Sequence, residues 1–244
     1  MRPLAIDTGH GWVHLAGDKL YEGRDSVVKA NGPLGEVKVI LFFDSRGVSS
    51  EWNGSLLKLL MEYYQTTTYL AIARPLEMTT WATLYNFLCL NEFSPELLIT
   101  NVGIVDFTPK KHLLCQTMMD QIRFGGDDGE LSPQFLENYR LANGRQEPLY
   151  SVPYLEPYRQ QLQRLLLTLP LLAIKTPVVD PSIVIERKRP ASFFSQLAKT
   201  NEFIDSLGCP TVELGCFDER LTYDAVHWTP MGNRFVFDKV VGVL

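Results

Sequence analysis

Short runs of apolar, β-branched residues alternate with amphipathic stretches along most of this chain, and that rhythm constrains the fold more than any other feature. "VKVILFF" at 37–43, "TTTYLAIA" at 66–73, "ELLITNVG" at 96–103, "LLAIKT" at 171–176 and "TVEL" at 211–214 read as strands. After the first run Trp52, Leu56, Leu59, Leu60 and Tyr63 recur at helical spacing; Trp81, Leu84, Tyr85 and Leu88 do so after the second. Residues 110–123, 155–167 and 193–207 read as further helices, the last stopped by Gly208. Strands that are apolar throughout need cover on both faces, and intervening helices supply it. The expectation is one three-layer α/β domain around a parallel sheet of about five strands.

Two segments break the rhythm. The first 35 residues are Gly-rich and read as an N-terminal appendage (1–35) ahead of the main domain (36–244). "FGGDDGELSPQFLENYRLANGRQEP" mixes glycine, proline and acid, and reads as an insertion or lid-like excursion at 124–150. With 244 residues, 45% of them hydrophobic, the chain is long enough to bury a full core.

The net charge of −5 gives no electrostatic case for binding nucleic acid or an anionic membrane. No basic run exceeds "ERKR" at 186–189, which reads as a solvated loop. No stretch approaches the roughly 18 apolar residues of a membrane helix, and the opening residues lack the apolar core of a secretory signal. A cytoplasmic protein is expected. Cys89, Cys115, Cys209 and Cys216 lack close pairing, so buried thiols are expected, with no metal and no cofactor.

Chemistry concentrates at two places. Ser45 in "FFDSRG" directly follows the first apolar strand, between Asp44 and Gly47, where α/β sheets gather functional side chains. It reads either as a turn or cap residue or as a nucleophile. Far downstream, "DAVHWTPMGNRF" places Asp224 three residues before His227, just ahead of Pro230 and a last helix. A serine hydroxyl needs a histidine to take its proton, and the imidazolium needs a carboxylate to orient it. Asp224 and His227 supply both, although Asp224 as a helix cap and His227 as an exposed ring is the plainer alternative.

Other motifs carry less. "LAIDTGHG" at 4–11 looks like a phosphate-binding loop without the second such loop it needs. His10 and His14 are spaced as a helical metal pair, but Gly9 and Gly11 oppose a helix. "GGDDGE" at 125–130 lacks calcium-loop spacing, and His112 reads as a surface residue.

Together, Asp44-Ser45 after the strand and Asp224-x-x-His227 with Pro230 and Gly232 resemble the SGNH (GDSL) hydrolase family over residues 37–244. The resemblance implies a flavodoxin-like sheet, Ser45 as nucleophile, His227 as general base and Asp224 as its orienting partner. Phe43 stands where the family has its first glycine, and Pro75 near its second. Gly103-Ile104-Val105-Asp106 aligns with Gly-x-Asn-Asp, so Val105 replaces the oxyanion asparagine. The backbone N–H of Ser45 remains as donor, with Asn101 as a substitute if extended backbone carries it onto the same face as Val105; otherwise Asn101 ties down its loop.

The implied activity is a serine esterase acting on a small or glycan ester, an O-acetyl group among them, without cofactor or metal. An acyltransferase, or a non-catalytic binding domain with an incomplete oxyanion hole, is the alternative.

Overall fold

The structure, a computed structural model, describes residues 4–7, 12–15, 21–23, 26–48, 52–75, 78–91, 93–121, 132–141, 143–152, 156–183, 185–186 and 188–244. Three motifs fall wholly or partly elsewhere: the loop within "LAIDTGHG", the "GGDDGE" stretch, and the start of the 124–150 excursion lie outside the described residues.

Four short strands come first: β1 (Leu4–Asp7) and β2 (Trp12–Leu15) form an antiparallel pair, and β3 (Tyr21–Gly23) and β4 (Ser26–Ala30) another. His14 is thus on a strand, not a helix. The expected rhythm follows. β5 (Val39–Phe43) leads to α1 (Leu56–Tyr63), β6 (Tyr69–Ala73) to α2 (Trp81–Leu90), and β7 (Leu97–Thr100) to a single turn, α3 (Ile104–Phe107), and α4 (His112–Gln121). The described part of the excursion is a hairpin of β8 (Gln134–Arg140) and β9 (Gln146–Ser151), separate from the main sheet. α5 (Glu156–Leu166), β10 (Leu171–Ile174), β11 (Val178–Val179), α6 (Ala191–Ser206), β12 (Thr211–Val212), β13 (Cys216–Phe217) and α7 (Pro230–Val241) complete the chain.

The main sheet has seven strands in the order β12-β10-β7-β5-β6-β4-β3. Its five parallel strands are those read from the sequence, and their order is the flavodoxin-like 2-1-3-4-5. The two further strands come from the supposed appendage. β4 pairs antiparallel along β6, with Val28 against Ile72 and fully buried, so the sheet extends past the boundary expected at residue 35. A strand of five residues with one lysine and one serine carries too little apolar signal to be legible alone.

Period-two alternation divides the core. Ile40 and Phe42 face a cluster built with α2, α5 and the C-terminal part of α6, whereas Val39, Leu41 and Phe43 face one built with α1 and α7. Each large side chain fully buried in this way contributes about 1.5–3 kcal/mol. Both faces of β5 are therefore covered by helices, which fixes its position in depth and in register. The cysteines differ from expectation: Cys115 is buried, Cys209 partly so, and Cys89 and Cys216 are exposed.

Candidate active site

The chain leaves β5 for β6 on one side and returns to β7 on the other, so the carboxyl end of β5 is the switch point at which open α/β sheets form a crevice. Ser45 starts the 3-10 turn that follows β5 directly. Gly47 lies within that turn, and its role is close approach: a Cβ there would lie 2.4 Å from Phe43 Cβ.

A buried network shapes the turn. Asp44 Oδ1 accepts the Arg46 backbone N–H at 2.9 Å, and both carboxylate oxygens pair with the Arg46 guanidinium, Nη2 to Oδ2 at 2.8 Å. Both side chains are fully buried. Just past β7, Asn101 accepts the Asp44 N–H through Oδ1 at 2.9 Å, and its backbone carbonyl accepts from Arg46 Nη2. Asn101 is positioned by register, since Thr100 pairs with Phe42 and the next residue of each strand follows alongside. Asn101 Nδ2, equally buried, finds no hydrogen-bond partner among the described residues.

Val105 is elsewhere. β7 ends at Thr100, Gly103 turns with φ 132, and Val105 sits on α3, so the extended geometry expected to place it on the face of Asn101 does not persist. Asp106, on the same turn, accepts the Trp81 N–H at the start of α2 at 3.1 Å. Burial pushes the Asp106 carboxyl well above the carboxylate range, against the Trp81 N–H and the nearby Lys110 charge, and burial also brings Lys110 down to about 8. Lys110 Nζ is fastened to Val105 O, Thr108 O and Thr108 Oγ1, a knot that holds this connection rather than a reacting group.

His227 reaches Ser45 from the loop before α7: Ser45 Oγ lies 3.1 Å from His227 Nε2. On the other ring nitrogen, Nδ1 lies 3.1 Å from Asp224 Oδ2 and 3.2 Å from Oδ1. The two motifs, 182 residues apart in sequence, thus form one hydrogen-bonded line.

The loop is held from within. Asp224 Oδ1 accepts the backbone N–H groups of Val226 and His227, Ala225 adopts φ 64, and the His227 carbonyl accepts from Tyr223 N and Thr222 Oγ1. A non-glycine residue in the left-handed region costs of order 1 kcal/mol and persists where its surroundings dictate it. Asp224 does not cap α7; Thr229 does, accepting from Gly232 N, with Pro230 at the first helical position.

Burial by itself would push the Asp224 carboxyl up. The hydrogen bond and charge of His227, its backbone N–H and the Arg189 guanidinium outweigh it and hold the carboxyl well below the usual carboxylate range. Ionised, Asp224 only accepts, so the proton of a neutral His227 sits on Nδ1 and Nε2 is free to accept from Ser45.

Two contributors were not legible in the sequence. Arg46 is fully buried, and its guanidinium lies 5.6 Å from the ring of Trp228, itself fully buried. Arg189 belongs to the "ERKR" run expected to be solvated, yet its side chain is 10% exposed and its Nη2 lies 2.5 Å from Asp224 Oδ2. The available signal was Pro190, which biases the preceding residue to extended backbone ahead of α6. Among the described residues no cluster of three or more His, Cys, Asp or Glu is placed to hold a metal ion, and no helix is long and apolar enough to cross a membrane.

No protein-family model and no curated protein matches the sequence. Solved structures similar to the chain include the acetyl xylan esterase AlAXEase (16% identity over 85% of this chain and 100% of that one, TM-score 0.48). A GDSL-like lipase from Parabacteroides merdae is 13% identical over 86% of this chain and 98% of its own, with TM-score 0.47. A carbohydrate acetylesterase family member from Sinorhizobium meliloti is 12% identical over 85% and 97%, with TM-score 0.46.

Proposed function

We propose that this protein is a serine hydrolase of carboxylic esters, of SGNH type, acting through an acyl-enzyme at Ser45. The observation that carries the reading is the line Ser45–His227–Asp224, whose 3.1 Å serine–histidine contact is within the reach a general base needs. His227 Nε2 takes the Ser45 proton as Oγ adds to the ester carbonyl. The imidazolium then gives that proton to the departing alcohol as the C–O bond breaks, leaving acyl-Ser45. Water repeats the sequence, His227 again acting as base, and releases the carboxylic acid. Asp224 holds the ring and stabilises its charged form throughout.

The developing oxyanion is served by the Ser45 backbone N–H, which as the first of its turn has no acceptor within it, and by Asn101 Nδ2. A small acyl group such as acetyl, on a glycan or small alcohol, is the substrate class we favour, and transfer to a second alcohol in place of water uses the same steps. The test is incubation with a fluorophosphonate probe followed by peptide mass spectrometry. Modification of Ser45 alone is expected; an unmodified Ser45 in folded protein overturns the reading.

A second reading draws on the burial of Asn101 Nδ2, which solvent does not reach. With the hole reduced to one backbone donor, the domain would bind a glycan or protein partner without turning over an ester. Saturable binding of an acetylated oligosaccharide by protein inert to the probe is the outcome that favours it.

A further inference from the structure

Arg189 is where the molecule departs from a bare Ser–His–Asp arrangement. Its guanidinium makes two contacts with one residue, Nη2 to the Asp224 carboxylate and Nε to the Asp224 backbone carbonyl at 2.7 Å. It also stacks 4.9 Å from the ring of Phe193. The segment carrying it is pinned on both sides by the β8–β9 hairpin: Tyr139 Oη donates to Lys188 O at 3.2 Å, and Glu137 Oε1 accepts the Ser192 N–H at 2.7 Å.

Asp224 Oδ2 is therefore shared. Arg189 Nη2 approaches it to 2.5 Å and His227 Nδ1 to 3.1 Å, so the permanently charged partner holds the nearer position. An aspartate raises the basicity of its histidine by stabilising the imidazolium, and a cation on the same carboxylate opposes that. Among the described residues, the charged groups facing Asp224 are Arg189, from the segment before α6, and His227. Among the described residues His227 faces one charged group, Asp224, and the Ser45 hydroxyl, and the Asp44–Arg46 ion pair lies against Trp228.

We propose that Arg189 is a positioning residue for His227: it fixes the Asp224 carboxylate and takes up part of its charge, leaving the imidazole a weaker base than the Asp–His pair alone would make it. The proposal rests on the triad reading above. Its consequence is that the base stays unprotonated, and Ser45 reactive, to lower pH than in a site whose aspartate is unshared.

The test follows the His227 ring proton by NMR through a pH titration of the full chain, assigned with His227→Gln against the other three of the four histidines. Arg189→Gln, neutral but still able to donate, should raise the midpoint by about one pH unit, whereas Arg189→Lys should leave it near its original value. Fluorophosphonate labelling of Ser45 followed against pH should show the same displacement. A midpoint that stays or falls in Arg189→Gln, or one that rises equally in Arg189→Lys, overturns the proposal. Arg189→Met, which keeps the stem on Phe193, is the second neutral variant, and failure of both neutral variants to fold makes the residue purely structural and overturns it too. Titration as expected with no labelling sinks the hydrolase reading alone; labelling without the shift sinks this proposal alone.

Discussion

Arg46 lies against Trp228: the residue after Ser45 contacts the residue after His227, at 5.6 Å from guanidinium carbon to ring centroid. Both are fully buried, so the contact fastens the turn after β5 to the loop before α7. The separation of Ser45 and His227 is thereby set by packing and not only by their own hydrogen bond. Side chains whose neighbours are locked keep their geometry when the substrate arrives.

Removing one member of the buried Asp44–Arg46 pair leaves an uncompensated charge, so Arg46→Met should lower stability by about 3–5 kcal/mol. Asp44→Asn/Arg46→Met should recover much of that loss in urea denaturation. Additive effects of the two substitutions would mean that the ions do not compensate one another.

Acid should act through Asp224. Its folded carboxyl titrates below its unfolded value, so the stability it contributes is present above about pH 4 and lost as pH falls through the folded value. The stability advantage of the unmodified protein over Asp224→Asn should shrink by about 2 kcal/mol between pH 5 and strongly acid solution. An advantage that is flat with pH would show that the carboxyl titrates normally.

Under the proposed function, Asn101 discriminates a complete from an incomplete oxyanion hole. If Asn101 Nδ2 is an oxyanion donor, Asn101→Ala should lower kcat on p-nitrophenyl acetate by on the order of a hundredfold with KM little changed, since an oxyanion exists only in the transition state. The same variant strips the Asp44 N–H of its acceptor, so kcat is compared well below its lowered Tm. Retained kcat there would leave Asn101 as a tie between β5 and β7.

At Gly47 an added methyl meets Phe43, a fully buried ring that has little room to move. Gly47→Ala is expected to cost about 1–3 kcal/mol and to slow labelling of Ser45, because the turn must shift. Thermal melts and labelling rates check the two effects together. Unchanged values for both would mean that the turn yields freely.

The five parallel strands were legible because each is an apolar run flanked by helical spacing; Ser45 stood out because it follows such a run, and Asp224 and His227 because of their spacing ahead of Pro230 and the last helix. Arg46 and Arg189 were not. An arginine in sequence reads as a solvated charge, and only the tertiary structure places Asp44 or Asp224 against it. The chain near Asn101 shows the same limit from the other side: its even spacing from Val105 assumed a strand that Gly103 turns away. β4 escaped notice because its stability comes from the edge of β6 and not from its own composition.

The β8–β9 hairpin lies outside the main sheet, yet it grips the segment that holds Asp224. Folding and tuning are thus assigned to different stretches of the chain. Changes along residues 134–151 can alter how firmly Asp224 is held, and the shape of its surroundings, while leaving the seven-stranded framework whole. The hairpin is therefore a module whose sequence can vary at little risk to the folding of the sheet, while its grip on the Arg189 segment varies with it.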